Sequence, residues 1–287
     1  MIKFRDLPKT EHWQVVNVTA GVLNVRFKGM YYMKTISNKM WKELADFIEE
    51  TNFVIYSTAC MFESANIENF HIPSQYEYLF DNVIQCDRMF ARSRIHNLNL
   101  NLKSKHLSSA NEMCIECIYL RHINLTFESE ILKTTICMLY RCDSLLSAKL
   151  KFNTSELSPS NIFSNCIDLT SLMITFMRPC SIRHDFNFDN LPRLRWFRIF
   201  GKCDYGGKVE ALFGFKKCPL LLWCPLDWKL NFIESNGRIK VSTVKYCNDL
   251  FIDTSSFYAI NYRYNYSSIV HCLDPKSNTS KCKSLIV

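Results

Sequence analysis

The segment SNCIDLTSLMITF, residues 164–176, places Leu169, Leu172 and Ile174 three, six and eight positions after Cys166. That spacing is too sparse for an ordinary strand and has the wrong period for a helix. Its meaning depends on whether it recurs. Two copies precede it, Cys117-Ile-Tyr-Leu120-Arg-His-Ile123-Asn-Leu125 and Cys142-Asp-Ser-Leu145-Leu-Ser-Ala148-Lys-Leu150. Two follow, Leu191-Pro-Arg-Leu194-Arg-Trp-Phe197-Arg-Ile199 and Cys218-Pro-Leu-Leu221-Leu-Trp-Cys224-Pro-Leu226. A further copy without cysteine runs through Arg92, Ile95, Leu98 and Leu100. The last apolar positions fall at 100, 125, 150, 174, 199 and 226, in steps of 25, 25, 24, 25 and 27. A nearly constant step of this size marks a stacked repeat array.

Within each copy the final apolar pair points one way from a short strand, and the two earlier apolar residues steer the chain into it. The linkers predict helices. ESEILKTTICMLYR (128–141) carries Ile131, Leu132, Ile136, Leu139 and Tyr140 at helical spacing. SPSNIFSN (158–165) opens with a Ser-Pro start signal, and GGKVEALFGFKK (206–217) reads as a Gly-Gly break followed by a short helix. The cysteine then ends each helix as a small apolar plug. Further copies are expected at the edges: Ile67, Phe70 and Ile72 upstream at a step of 28, and Val244, Cys247, Leu250 and Ile252 downstream at 26.

The period and the C-x-x-L-x-x-L-x-L core resemble the leucine-rich repeat in its cysteine-containing subtype. The resemblance implies an α/β solenoid of helix–strand units of about 25 residues, with a curved parallel sheet, over residues 51–273. A polar tail would follow over 274–287.

Composition fits such an array. The chain has 287 residues, is 48% hydrophobic and 22% charged, and can bury a core. Only 7 Gly and 8 Pro are present, which argues against an all-β fold of tight turns and against glycine-rich phosphate loops. The 14 Cys, with sequons at Asn17, Asn124, Asn153, Asn265 and Asn278, could suggest a secreted disulfide protein. The opening MIKFRDLPKTEHW has no apolar signal core, so the cysteines are read as reduced and buried in a cytoplasmic or nuclear protein. No run of 18 apolar residues occurs, and no membrane span is expected. The net charge of +8 allows acidic partners without pointing to nucleic acid.

Residues 1–50 lack the repeat. MYYMKTISNKMWKELADFIEE (30–50) reads as an amphipathic helix with Ile36, Met40, Leu44, Phe47 and Ile48 on one side. Leu7-Pro8, followed by Ile36-Ser-Asn-Lys39-Met-Trp41-Lys-Glu-Leu44, resembles a degenerate F-box. The departures are Lys9-Thr10-Glu11 where an acidic residue is usual, and NVTAGVLNVRFKG (17–29), which reads as strand or loop through Val22, Val25 and Phe27 instead of a leucine-rich helix. The same residues also read as a helical cap on the first repeat. The resemblance implies that Leu7, Pro8, Ile36 and Trp41 dock on the SKP1 adaptor of a cullin-type ubiquitin ligase.

No catalytic signature is present. Cys114-Ile-Glu-Cys117 lacks the further ligands a zinc site needs, and Cys117 already has a repeat role. The seven His are scattered, and no H-E-x-x-H, G-x-S-x-G or Walker sequence occurs. A non-enzyme without cofactor or metal is expected.

Residues alternating with the apolar pair would line the open sheet face. They include Arg121, His122, Lys149, Lys151, Arg195, Trp196, Arg198 and Trp223, with Asn97, Asn99, Asn101, Asn124, Ser147 and Ser171. Cations and aromatics beside few acids suit an acidic or phosphorylated segment of a protein partner. The expected function is substrate recognition in a ubiquitin ligase. The alternatives are a stand-alone binding scaffold and a secreted leucine-rich module.

Overall fold

Strands of five or six residues recur at five of the six apolar pairs: β5 (Asn97–Leu102), β6 (His122–Phe127), β7 (Ser147–Phe152), β9 (Ser171–Phe176) and β11 (Trp196–Phe200); Leu226 of the sixth lies outside the described residues. The structure, a computed structural model, describes residues 7–19, 22–29, 31–183, 186, 188, 191–201, 203–205, 223–224 and 259–260. These strands, with β4 (Asn69–Phe70), β13 (Trp223–Cys224) and β14 (Ala259–Ile260), form one parallel sheet in the order β14-β13-β11-β9-β7-β6-β5-β4. Consecutive coils therefore stack side by side as a parallel β-solenoid with little helix. Register is one-to-one: Leu98 pairs with Ile123, Ile123 with Ala148, Ala148 with Leu172, and Leu172 with Phe197. The 24- and 25-residue steps of the sequence are thus the lengths of single coils.

Alternation along each strand buries every second side chain. In β6, Ile123, Leu125 and Phe127 point inward; in β7, Ala148, Leu150 and Phe152 do so. The third inward position forms an aromatic column that the apolar pair did not include. Phe127 and Phe152 stack at 5.4 Å with planes 1° apart, and Phe152 and Phe176 at 6.0 Å and 27°. The column stops at Gly201, next in register after Phe176. Gly201 has φ +94°, and a Cβ there would lie 2.0 Å from the Phe176 carbonyl oxygen, so only glycine fits.

The linkers at 128–141 and 158–165 are not helical, which corrects their reading; a short 3-10 helix, Ser74–Phe80, occurs only in the linker between β4 and β5 among the described residues. Each linker is a ribbon of turns whose amide groups alternate in direction. The N–H groups of Cys86, Arg88, Phe90 and Arg92 donate across to the carbonyls of Ser109, Asn111, Met113 and Ile115 in the next coil, at 3.0, 2.9, 2.8 and 2.9 Å. The intervening Met89, Ala91 and Ser93 donate back within their own coil to Cys86, Arg88 and Phe90, at 3.1, 3.1 and 3.0 Å. A helix would aim every amide along its own axis and leave neighbouring coils unbonded on this side. The burial pattern agrees: Leu132, Thr135, Met138 and Cys142 are inside, while Ile131 and Ile136 are 49% and 41% exposed. The ribbon needs left-handed backbone at two positions per coil, four residues apart: Arg88 and Arg92, Glu112 and Glu116, Cys137 and Arg141, Asn161 and Asn165. Few non-glycine residues adopt this conformation, and bonding on both sides holds it here.

Cysteine occupies the position where ribbon meets strand, and its role exceeds that of an apolar plug. Cys117, Cys142 and Cys166 stack in successive coils. Their thiols donate to the carbonyls of Phe90, Cys114 and Leu139 in the preceding coil, at 2.9, 3.1 and 3.1 Å. Serine or threonine does the same at the far end of the strand. Ser104, Ser129 and Thr154 are buried and donate to Val83, Leu107 and Leu132 carbonyls at 2.7, 2.6 and 2.8 Å. Both columns satisfy carbonyls that would otherwise lie in an apolar core. Burial raises the thiol of Cys142 and pushes that of Cys166 up to about 12, so both remain protonated donors.

The expected upstream copy is present: Phe70 pairs in register with Leu98. Downstream, β13 is followed in the sheet by Ala259–Ile260. The copy expected through 244–252 and the helix expected over 206–217 lie outside the described residues. A second parallel sheet, β8 (Glu156–Leu157), β10 (Cys180–Ile182) and β12 (Cys203–Tyr205), runs beside the later coils.

The N-terminal segment is a mixed α/β cap. Strands β1 (Trp13–Thr19) and β2 (Val22–Phe27) are antiparallel, and β2 is parallel to β3 (Val54–Ser57). Between β2 and β3 runs α1 (Asn38–Thr51), which begins later than the helix expected over 30–50; Ser37 caps it, its side chain accepting from the Met40 N–H, and Asn52 ends it in left-handed conformation. It buries Trp41, Leu44, Ala45 and Phe47. Trp13, Phe27, Trp41 and Phe62 form one cluster that continues through Phe70 and Phe90 into the first coils. The Trp13 indole N–H donates to the Met40 carbonyl at 2.8 Å, and His12 meets Glu43 at 2.6 Å, tying β1 to α1.

On the outer side of the ribbon, charges alternate from coil to coil. Glu63 meets Arg88 at 2.6 Å, Arg26 at 3.4 Å and Arg92 at 3.7 Å; Arg92 meets Glu116 at 2.8 Å, and Glu116 meets Arg141 at 3.5 Å. Burial opposes ionisation of Glu63, whose side chain is 14% exposed, but the Arg88 hydrogen bond and charge override it and hold the carboxyl below its ordinary range. A depressed folded-state pKa stabilises above the unfolded glutamate value, and this contribution is lost as pH falls through the folded value. Glu63→Gln is therefore expected to cost about 1–2 kcal/mol at pH 7. In urea unfolding series the difference between wild type and variant should shrink steadily below the ordinary glutamate pKa. A pH-independent difference would show that the ion pairs do not carry it.

Candidate functional site

The outward residues of the main sheet form a continuous face. At the first position of each strand stand Asn97, His122, Ser147, Ser171 and Trp196; at the third, Asn99, Asn124, Lys149 and Met173; at the fifth, Asn101, Thr126, Lys151, Thr175 and Phe200. Arg121 and Arg195 stand one residue before β6 and β11, on the same rim, and both are exposed. The structure thus gathers His122, Lys149, Lys151 and Trp196 on one surface, as the alternation predicts; Arg121 and Arg195 fall outside that alternation and stand exposed where the chain enters β6 and β11. Arg198 and Trp223 belong to strands of this sheet by backbone pairing, but their side chains lie outside the described residues.

The face is amide-rich on one flank and basic in the middle. The Asn124 amide donates to the Asn99 side-chain carbonyl at 2.9 Å, and the His122 Nδ1 lies 2.8 Å from the Ser147 hydroxyl. The Asn101 amide donates to Glu128 at 2.6 Å. Acids at the margins are already engaged: Glu77 with Lys103 at 2.5 Å, Glu130 with Arg178 at 2.7 Å, and Asp168 with Arg193 at 2.7 Å. Lys149, Lys151, Arg121 and Arg195, by contrast, make no ion pair and no side-chain hydrogen bond among the described residues. On the ribbon side Arg88, Arg92 and Arg141 are spent internally, whereas the sheet face presents Lys149 and Lys151 to solvent. Sequence reading could not distinguish the two, because the ion pairs join residues about one coil apart.

The residues expected to dock an adaptor are arranged otherwise. Ile36 and Trp41 are 4% and 0% exposed and belong to the cap's core. Leu7 packs half-buried against the same core, and Pro8 is exposed. Where an F-box places helix, β1 and β2 pair as antiparallel strands. The motif match at Ile36–Leu44 reflects one amphipathic helix fitted to its own sheet.

Cys114 and Cys117 are buried in the thiol-rich interior. Among the described residues, no group of three or more His, Cys, Asp or Glu side chains could hold a metal ion. No described helix is long and apolar enough to cross a membrane.

No family model matches the chain, and no curated protein matches it. Among solved structures, a leucine-rich repeat protein from Bacteroides ovatus ATCC 8483 is similar over 94% of this chain and 98% of its own, at 10% identity and a TM-score of 0.22. The repeat architecture of the present chain rests on its own strand register.

Proposed function

We propose that the protein is a non-catalytic recognition module that binds an acidic segment of a partner protein on the open sheet face from β5 to β11. The observation that carries this reading is the contrast in cation pairing. Arginines on the ribbon side are neutralised by Glu63 and Glu116, while Lys149 and Lys151 on the sheet face, and Arg121 and Arg195 at its rim, have no acidic partner among the described residues. Solvated cations beside unspent amides and hydroxyls favour an anionic ligand that also needs hydrogen bonds. The ligase reading draws no support from this arrangement, since two of its four docking residues are core and its helices are replaced by antiparallel strands.

The test is a random peptide library displayed on phage and panned against the full chain. Enriched peptides should bind the wild type and the ribbon-side variant Arg141→Glu alike. They should fail on the sheet-face variants Asn124→Trp and Lys149→Glu, each checked for an unchanged melting temperature. Peptides that bind the sheet-face variants as well as the wild type would show that recognition lies elsewhere.

A further inference from the structure

The sheet face carries more information than its sign of charge, because its unpaired groups are spaced. Lys149 and Lys151 are two residues apart on β7, so their side chains leave the sheet about 6.8 Å apart on the same face. Asn97, Asn99 and Asn101 repeat the same step on β5. Between them, β6 offers His122, Asn124 and Thr126. The two flanks are separated by two strand spacings, about 9.6 Å. An extended peptide also repeats every two residues at about 6.8 Å, with successive side chains on opposite edges. Laid along β6, it would direct one set of side chains towards the lysines and the alternate set towards the asparagines.

We infer that the partner segment is an extended strand lying along β6, with carboxylates on alternate residues facing Lys149 and Lys151 and uncharged polar residues between them facing the asparagine flank. This rests on the reading of the sheet face as the recognition surface. The chemistry of the two flanks selects the ligand. Asn97 and Asn99 sit away from Lys149 and Lys151, so an acid placed on that side gains no ion pair, while an amide or hydroxyl finds both a donor and an acceptor. The Asn124–Asn99 bond at 2.9 Å uses the Asn99 carbonyl and leaves its amide hydrogens unspent; Asn97 is exposed and makes no side-chain hydrogen bond among the described residues. Peptide backbone offers donors and acceptors to match such groups. A polyphosphate offers acceptors only, and the asparagine side-chain carbonyls would gain nothing from it.

Fluorescence anisotropy with labelled nine-residue peptides on the full chain tests this. One peptide carries two glutamates at positions i and i+2 among serine and asparagine; others carry the same two glutamates at i and i+1 or at i and i+3, or two glutamines. The i, i+2 peptide is expected to bind about five- to tenfold more tightly than the others, the gain of two solvent-accessible charge pairs. That advantage should fall with salt and disappear in Lys149→Gln/Lys151→Gln, whose melting temperature should be unchanged because both side chains are exposed. Equal binding at all spacings, or an advantage that survives in the double variant, would overturn the inference. So would tighter binding of oligothymidylate or a sulfated polysaccharide than of any peptide. Library peptides that need the sheet face but show no alternating acids would overturn it while leaving the recognition reading intact; peptides that ignore the face would remove both.

Discussion

Replacing Phe152 by alanine is expected to lower the unfolding free energy by about 3–5 kcal/mol, among the largest single-residue effects in the chain. Phe152 has no exposed surface and sits between Phe127 at 5.4 Å and Phe176 at 6.0 Å, so truncation opens a cavity shared by three coils. Neighbouring coils cannot close it, because the strand register and the ribbon bonds hold their spacing. In a stacked array the loss is felt at both interfaces of the affected coil. Phe200→Ala is the matched control. Its ring is on the outward side of β11 and 48% exposed, and its loss should change stability by no more than about 0.5 kcal/mol. Urea unfolding followed by far-UV circular dichroism compares the two. Equal effects would mean that the inward and outward faces of the strands have been assigned wrongly.

Trp41→Ala should be comparably severe, at about 3–5 kcal/mol, and its character matters for function. The Trp41 ring contacts Trp13, Phe62, Phe70 and Phe80 at centroid distances of 5.5, 6.2, 6.1 and 6.0 Å. It therefore joins the β1–β2 pair, α1 and the first coils. Its indole N–H is buried with no hydrogen-bond partner. Trp41→Phe removes that unsatisfied donor while keeping an aromatic ring, so it should cost less than about 1.5 kcal/mol. A docking residue would behave differently: alanine would leave stability intact and abolish adaptor binding. Thermal unfolding of both variants, with limited proteolysis of residues 7–57, separates the cases. A stable Trp41→Ala protein with an intact N-terminus would contradict the placement of this tryptophan in the core.

The strands and the period of the solenoid were legible because their physics is local and repeated. Alternation in NLNLNL at 97–102 settles which residues face inward, and the same alternation in β6 to β9 places the candidate face. The linkers were misread because Ile131, Leu132, Ile136, Leu139 and Tyr140 satisfy a helical period, yet Ile131 and Ile136 are exposed while Thr135, Met138 and Cys142 join Leu132 and Leu139 inside. What decides between them is hydrogen bonding to the next coil, which no single segment reveals. Left-handed backbone at Arg88, Glu112 and Arg141 also carries no glycine to announce it. The aromatic column at 127, 152 and 176 repeats with the period and could have been found by extending the motif two residues. In the N-terminal segment, the strand reading of Val22, Val25 and Phe27 held, and it is the β1–β2 pair that replaces the helix implied by the F-box resemblance. The pairing state of the cations stayed hidden, because Glu63 and Glu116 reach their arginines across coils.

The central claim is a solenoid whose coils are joined by parallel strands on one side and by a turn ribbon on the other, leaving the sheet face open. Backbone NMR on the uniformly labelled chain tests it most directly. The account predicts no run of helical Cα shifts over 128–141, and inter-strand amide–Hα contacts in register between 122–127 and 147–152. A continuous helical run over 128–141, or strand contacts displaced from that register, would contradict it.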